Sequence, residues 1–167
     1  MADCPQLNLS KAQNPALEAL GLKASKMTSD HLAEVVSIEK NTAKNPWTET
    51  QLANSIATTV VLKDKKLVIG FAVIAMVADQ AELHNIAIHP QWQGQGLGSV
   101  FLHTLIETVP SNIRMMYLEV RVTNFRAIRL YSGLGFEEIA ERKGYYRSEL
   151  GSEDALIMCK VLDSTNK

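Results

Sequence analysis

The chain has 167 residues, of which 46% are hydrophobic and 21% are charged. This composition is typical of one globular domain and excludes a disordered, collagen-like or coiled-coil chain. The 17 basic and 18 acidic residues give a formal net charge of -1. Because binding to a phosphate backbone needs an excess of positive charge, we expect no nucleic-acid partner.

Cysteine spacing and hydropathy favour a cytoplasmic protein. Cys4 and Cys159 stand at opposite ends of the chain and predict neither a disulfide framework nor a metal site. Residues 1–10 lack the basic start and the apolar run of a signal peptide, and no segment approaches the roughly 18 apolar residues of a membrane span. We therefore expect a monomer or weak dimer with no metal and no membrane partner.

Composition divides the chain into three segments. Residues 1–22 form a polar extension, in which Asn14-Pro15 can begin a very short helix over residues 16–20. Residues 23–162 form a single domain, and residues 163–167 form a tail.

The domain begins with a predicted strand over residues 22–27. Ser29 or Asp30 can cap the helix that follows, and Asn45-Pro46 ends it. Its buried face contains apolar residues at helical spacing: Leu32, Val35, Val36 and Ile38.

Two signals agree on the start of a second helix. Thr48 and Gln51 have the spacing of a capping box, and Trp47 and Leu52 have the spacing of a hydrophobic staple.

A hairpin and a further strand follow. The β-branched residues 57–62, a turn at residues 64–66 and the apolar residues 67–77 predict the hairpin, and its second strand is buried on both faces. Residues 82–89 predict the next strand, which Pro90 stops.

A glycine-rich turn, residues 93–98, joins that strand to a helix that ends at residue 109. Backbone N–H groups converge at such a helix start and, with the helix dipole, can hold an anion. The turn lacks both the Gly-Lys-Ser/Thr of a Walker loop and the GxGxxG pattern of a dinucleotide site. It therefore indicates another phosphate ligand, or only a turn that needs φ > 0.

The last part of the chain predicts a strand, a helix and two short strands. Residues 115–120 form the strand, and Asn124 caps a helix that ends at residue 134. Strands over residues 136–142 and 155–161 are joined by a polar loop. This order predicts a mixed α/β or α+β sheet with helices on both faces.

Two motifs resemble a known family. Residues 85–99 (NIAIHPQWQGQGLGS) are similar to the Q/R-x-x-G-x-G/A signature of the GCN5-related N-acetyltransferases (GNAT). Residues 117–136 (YLEVRVTNFRAIRLYSGLGF) resemble the RimI-type ribosomal-protein-alanine N-acetyltransferases of bacteria. The resemblance implies the GNAT fold, a splayed and mostly antiparallel sheet of about seven strands with about four helices on both faces. It also implies acetyl-CoA as co-substrate.

The resemblance further implies which residues bind acetyl-CoA. The backbone of Ile86, Ala87 and Ile88 would pair with the pantetheine arm, and Asn124 would contact the cofactor. The remaining cofactor-binding residues, most of which would hold the pyrophosphate, are Gln93, Gly94, Gln95, Gly96, Leu97, Gly98 and Ser99.

Two catalytic residues also follow from the resemblance. Glu119 matches the general base that takes a proton from the amine, directly or through water, and Tyr131 matches the acid that protonates the departing thiolate. Without the resemblance, Glu119 and Arg121 on one strand face would predict only a surface ion pair. Tyr131 would predict only core packing.

Aromatic and charged side chains raise further expectations. Trp47, Tyr145 and Tyr146 would form an aromatic wall for the acceptor, a role that competes with the staple for Trp47. The mixed charges after residue 126, among them Arg142, predict a solvated face. Cys159 is expected to be a buried small hydrophobe.

The resemblance implies an N-terminal acetyltransferase whose acceptor is the terminal alanine of a small-subunit ribosomal protein. An α-amino group of pKa ~7.7–8.0 demands less of a base than a lysine of pKa ~10.4. Acetylation of lysine or a small amine by the same fold is one alternative. A non-catalytic acyl-CoA-binding module is another.

Overall fold

Seven strands form one sheet in the computed structural model, which describes residues 7–9, 15–148 and 151–162. The predicted tail, Cys4 and much of the predicted extension lie outside the described residues. The strands are β1 (Leu22–Lys26), β2 (Thr59–Asp64), β3 (Leu67–Val77), β4 (Gln80–Ile88), β5 (Met115–Arg121), β6 (Glu137–Ser148) and β7 (Gly151–Val161).

The sheet has the strand order β1-β2-β3-β4-β5-β7-β6. The pair β4–β5 is parallel and the other pairs are antiparallel, which confirms the predicted mostly antiparallel sheet of seven strands. The parallel pairing extends from Gln80 and Met115 to Leu83 and Leu118. Beyond Leu83 and Leu118 the described residues of the two strands no longer pair with each other, and this opening is called the β4–β5 gap below.

Helices cover both faces of the sheet, as predicted. They are α1 (Pro15–Ala19), α2 (Leu32–Thr42), α3 (Glu49–Asn54), α4 (Leu97–Thr108) and α5 (Phe125–Gly133). On one face, Leu17 of α1, Phe101 of α4 and Tyr131 of α5 belong to the larger buried cluster. On the other face, Val35 of α2 and Leu52 of α3 belong to a second cluster. Part of the predicted extension, through Leu17, thus packs on the core.

The apolar strand β3 lies between these two clusters. Ile69 and Ile74 pack on the side of α4, and Phe71 and Val73 pack on the side of α2. Burial of this strand on both faces is therefore confirmed.

Side-chain caps begin α3 and α5 as predicted. The Gln51 N–H donates to Thr48 Oγ1 at 3.2 Å, and the Thr48 N–H donates to Gln51 Oε1 at 2.8 Å. The Ala127 N–H donates to Asn124 Oδ1 at 3.2 Å. Each contact joins residues three apart, so a local pattern was enough to predict it.

The start of α2 differs from the prediction. A 3₁₀ turn, Ser29–His31, with Thr28 as its N-cap precedes the helix, and the N-cap of α2 is His31 rather than Ser29 or Asp30. The Thr28 N–H donates to His31 Nδ1 at 3.1 Å and closes this turn, so the helix begins after it.

The end of α2 also differs, because the helix stops at Thr42 and Ala43 is already extended with ψ 138°. Residues 43–48, which we call the α2–α3 loop, lead to α3. Asn45-Pro46 therefore lies inside this loop and does not end the helix.

The predicted polar loop between the last two strands is wrong, because β6 continues to Ser148 and β7 begins at Gly151. Arg142 pairs with Ala155 and Tyr146 pairs with Glu153, so residues 143–145 form a bulge opposite a single residue, Asp154. Many side chains of this hairpin are exposed, and the alternation of apolar residues that signals a strand is missing there.

Asp154 holds the bulge in place. The Gly144 N–H donates to Asp154 Oδ1 at 2.7 Å, and Lys143 Nζ donates to Oδ2 at 3.0 Å. Gly144 has φ 61°, in the left-handed region that favours glycine. The bulge changes the direction of Tyr145, which lies in it, and of Tyr146, which follows it.

Glu153 ties together three parts of the chain near the β4–β5 gap. Arg121 Nη1 donates to its carboxylate at 3.0 Å, the Thr123 N–H donates at 3.3 Å, and the Thr123 hydroxyl donates to the same oxygen as that N–H. Lys44 Nζ lies 3.5 Å away. Hydrogen bonds from Thr123 and Arg121 lower the pKa of Glu153 to about 2, from an ordinary value of 4.5.

We predict that Glu153 stabilises the fold in a pH-dependent way. Because its pKa is lower in the folded protein, its contribution is complete above the unfolded value of 4.5 and is lost as the pH falls through about 2. Urea unfolding should show Glu153→Gln less stable than the wild type at neutral pH, with a smaller difference in acid. The matched control is Glu138→Gln, at an exposed position of β6. An equal destabilisation at both pH values would contradict the prediction.

Candidate active site

The turn before α4 presents backbone N–H groups to an anion. Gly94 and Gly96 have φ values of 80° and 76°, which glycine adopts without strain. Gly96 is the N-cap of α4, and its carbonyl accepts hydrogen bonds from the N–H groups of Ser99 and Val100. Within the described part of the chain, no protein group accepts a hydrogen bond from the N–H groups of residues 94–98. These donors point to anion binding at the positive end of the helix dipole.

Two residues of the turn pack α4 against its neighbours. The Leu97 side chain is buried in the larger cluster. A Cβ on Gly98 would come within 3.1 Å of Leu130 Cδ1 on α5, so the absence of a side chain there allows the two helices to approach. Gln95 is exposed on the turn.

Gln93 connects the turn to β4 and α5. Its Nε2 donates to the Ile88 carbonyl at 2.8 Å, and its Oε1 accepts from Arg126 Nη1 at 3.1 Å. The Gln93 side chain therefore holds the glycine turn at the end of β4.

Strand β4 offers a backbone edge beside this turn. Ile86, Ala87 and Ile88 pair with β3 on one side, while the pairing with β5 ends at Leu83. Their other edge faces the β4–β5 gap, where an extended ligand can pair with it as a further strand would. The free edge of β4 ends at Ile88, and the glycine turn follows it at residues 93–98.

Glu119 lies on β5 directly after Leu118, the last residue paired with β4. Its side chain is 22% exposed, and Arg142 Nη1 lies 2.5 Å from its Oε1. Arg121 pairs with Glu153 at 3.0 Å and not with Glu119, so the surface ion pair that spacing alone would predict is absent. Arg142 is 49% exposed, in agreement with the expected solvated face, and it also pairs with Glu119. Sequence spacing did not indicate this pair, since its members are 23 residues apart on different strands.

Two tyrosines surround Glu119. Tyr145 and Tyr146 meet edge to face with ring centroids 5.0 Å apart. Arg142 stacks over Tyr145 at 4.1 Å, and Arg121 stacks over Tyr146 at 3.9 Å. A hydrogen bond to the Glu119 carboxylate raises the pKa of Tyr145. The bulge at Gly144 therefore brings an aromatic pair and a guanidinium to one carboxylate.

Tyr131 is buried on α5, and its ring meets Phe136 edge to face with centroids 6.0 Å apart. Burial, with a smaller effect from Tyr146, raises the pKa of Tyr131 well above its ordinary value. The phenol therefore stays protonated at neutral pH.

A hollow of about 290 Å³ adjoins Glu119. It lies on the same face of the sheet as α2 and α3, beyond β3, where these helices do not cover the strands. Its lining comes from β3, β4, β5 and β7 and includes Ala75, Gln80, Glu82, Tyr117, Glu119 and Ile157. The hollow leaves room for a ligand group beside the Glu119 carboxylate.

Other candidate residues have structural contacts. Trp47 packs against the cluster that contains Leu52, as a hydrophobic staple requires. Asn124 is exposed, and its Oδ1 caps α5. Cys159 is buried and free, which confirms the expectation for this residue.

Within the described ranges, no group of three or more His, Cys, Asp or Glu side chains is placed to hold a metal ion. Among the helices that the structure describes, none is both long and apolar enough to cross a bilayer.

The chain is similar to named acetyltransferases over most of its length. The acetyltransferase (GNAT) family profile matches residues 26–136. The [ribosomal protein bS18]-alanine N-acetyltransferase of Escherichia coli K12 is 36% identical over 138 residues, which cover 80% of this chain and 93% of that protein. The protein of the same name from Salmonella typhimurium is 37% identical over 137 residues, which cover 79% and 92%.

A solved structure agrees with these relatives. The crystal structure of the ribosomal-protein-S18-alanine N-acetyltransferase from Escherichia coli superimposes with a TM-score of 0.79 at 33% identity, covering 85% of this chain and 94% of that chain. The splayed sheet, the glycine turn and the family profile therefore all indicate the same family. The chain belongs to the GNAT acetyltransferase family and is an acyltransferase that uses acetyl-CoA.

Proposed function

We propose that this chain acetylates protein N-termini, with the terminal alanine of a small-subunit ribosomal protein as acceptor. The position of Glu119 carries the proposal, because its carboxylate follows the last β4–β5 pair and adjoins the hollow beside two tyrosines. Two relatives, 36% and 37% identical, are named as alanine N-acetyltransferases of ribosomal protein bS18. Because such acceptors are made in the cytoplasm, we place the activity there.

Acetyl-CoA would lie along β4, with its diphosphate at the start of α4. The N–H groups of residues 94–98 would donate to the diphosphate, so backbone dipoles would contribute to the attraction. The edge of Ile86, Ala87 and Ile88 would bind the pantetheine arm. Asn124 would contact the cofactor through its amide nitrogen, since its oxygen caps α5.

The acceptor amine must be neutral before it attacks the thioester. An α-amino group of pKa ~7.7–8.0 is roughly a tenth neutral at pH 7, whereas a lysine of pKa ~10.4 is neutral to only ~0.04%. Glu119 would accept the ammonium proton, directly or through water. The nitrogen then bonds to the acetyl carbon as the C–S bond breaks.

Tyr131 would donate its phenolic proton to the departing sulfur. The burial that raises the pKa of Tyr131 keeps this proton in place until the thiolate forms. Glu119 and Tyr131 thus have opposite tasks, and the two residues have different surroundings: one is partly exposed beside a cation and the other is buried in the core.

We expect acetylation of a peptide that has a free N-terminal alanine and no lysine. The same peptide with a blocked terminus and an internal lysine should react far more slowly, because the ~2.5-unit pKa gap corresponds to ~3.5 kcal/mol. Mass spectrometry of both reactions measures the added acetyl group. Comparable acetylation of the blocked peptide would support the lysine alternative, and CoA binding without turnover on any amine would support a non-catalytic module.

Glu119→Gln should lower kcat by roughly 10²-fold, since the amide keeps a contact for Arg142 but cannot take the amine proton. CoA release at saturating acetyl-CoA is the measurement. Glu138→Gln, which removes an exposed carboxylate from β6, is the matched control and should keep wild-type kcat. Loss of activity in both variants would refute the assignment of Glu119 as base.

Tyr131→Phe should lower kcat by roughly 10²-fold while the KM for acetyl-CoA changes little. Phenylalanine keeps the ring contact with Phe136 and removes only the proton donor. Steady-state kinetics and the melting temperature should both be measured. An unchanged kcat would show that Tyr131 serves only in packing.

A further inference from the structure

Glu39 is a buried charged residue that the reaction described above does not use. It lies on α2 and is only 1% exposed. A carboxylate is almost never buried this far unless partners satisfy its oxygens. The partners of Glu39 therefore indicate why a charged residue occupies this position.

Each oxygen of the Glu39 carboxylate accepts a hydrogen bond from a different part of the chain. The Trp47 N–H donates to Oε1 at 2.8 Å, and Asn85 Nδ2 donates to Oε2 at 3.1 Å. Trp47 belongs to the α2–α3 loop and Asn85 to β4. One carboxylate thus fixes the distance between a loop and a strand that are not neighbours in sequence.

Asn85 occupies a defined point on β4. It lies two residues beyond Leu83, where the pairing with β5 ends, and directly before the edge formed by Ile86, Ala87 and Ile88. A bulge at His84 precedes it, because Val73 pairs with Asn85 while Ile74 pairs with Leu83. Glu39 therefore holds β4 where the strand enters the β4–β5 gap.

The α2–α3 loop also contacts the opposite side of the gap. Lys44 Nζ lies 3.5 Å from Glu153 on β7. Glu153 in turn binds Arg121, whose guanidinium stacks on Tyr146. The loop therefore extends from the Glu39 carboxylate to the surroundings of Glu119.

We propose that Glu39 is a positioning residue that fixes the α2–α3 loop relative to β4 and so shapes the binding site of the acceptor peptide. The proposal rests on the proposed function, since the peptide is the acceptor named there. The hydrogen bonds of the Glu39 carboxylate go to Trp47 and Asn85 and not to Glu119 or Tyr131. Its loss should weaken acceptor binding and leave acetyl-CoA binding and the chemical step nearly intact.

Exchange of the two side chains gives a sharp test. Asn85→Asp places a second carboxylate against Glu39 and removes the donor to Oε2. This variant should raise the peptide KM by about 10-fold. Its kcat and its KM for acetyl-CoA should change by less than about 3-fold. Glu39→Gln combined with Asn85→Asp should restore the peptide KM. In this double variant the amide on α2 donates to the carboxylate on β4, and the amide oxygen still accepts from the Trp47 N–H.

Asn41→Asp is the matched control, because it adds the same charge at an exposed position of α2 and should leave all three constants unchanged. If Asn85→Asp does not fold, Asn85→Ala has the same expected effect without an added charge. An unrestored peptide KM in the double variant, or an equal loss of peptide and acetyl-CoA binding, would overturn the proposal.

Hydrogen exchange separates this proposal from the proposed function. The Trp47 amide should exchange faster in Asn85→Asp than in the wild type and slowly again in the double variant. If Trp47 exchange changes in this way but the wild type acetylates no N-terminal peptide, the proposed acceptor is rejected and the role of Glu39 in holding the α2–α3 loop is retained. Acetylation of peptide with unchanged Trp47 exchange and peptide KM in every variant would reject the role of Glu39.

Discussion

The parting of β4 and β5 after Leu83 and Leu118 is the constraint on which the site depends. Backbone N–H and C=O groups on strand edges need hydrogen-bond partners, and β5 does not supply them beyond this point. Strand β4 therefore keeps one edge for a ligand while β3 holds its other edge. The glycine turn follows this edge directly, so a ligand that pairs with the strand reaches the N-terminus of α4 with its anionic end. Acetyl-CoA, which has an extended amide arm and a diphosphate, has the chemistry that such an arrangement fits.

The opposite side of the gap depends on the β6–β7 hairpin. Its bulge places residues 143–145 opposite Asp154, which accepts hydrogen bonds from Gly144 and Lys143. Without the bulge, a regular two-residue alternation would turn Tyr145 to another face of the hairpin. Two neighbouring carboxylates thus have separate roles beside the gap. Asp154 positions the tyrosines, whereas Glu153 holds the loop after β5 and contacts Lys44.

Sequence patterns predicted the elements whose signals are local. The apolar strand β3, the capping box at Thr48 and the cap at Asn124 each depend on residues a few positions apart, and the structure has all three. The length of the β6–β7 hairpin was missed because exposed strands with polar side chains lack alternation. The pairs Arg142–Glu119 and Glu39–Asn85 were missed because they join residues 23 and 46 positions apart. Only the tertiary fold brings such groups together.

The contact between Arg142 and Glu119 bears on how an acceptor enters. The Glu119 carboxylate is 22% exposed and already has a cation 2.5 Å away, so an arriving ammonium group meets a site arranged for positive charge. Because Arg142 is 49% exposed, breaking this ion pair costs little, and an ammonium group that replaces the guanidinium leaves the carboxylate paired throughout. Arg142 has a second contact on the Tyr145 ring at 4.1 Å, which can hold the guanidinium after it leaves the carboxylate. The proposed reaction would therefore begin by exchange of cations on Glu119, and the α-ammonium group would then lose its proton to the carboxylate that has bound it.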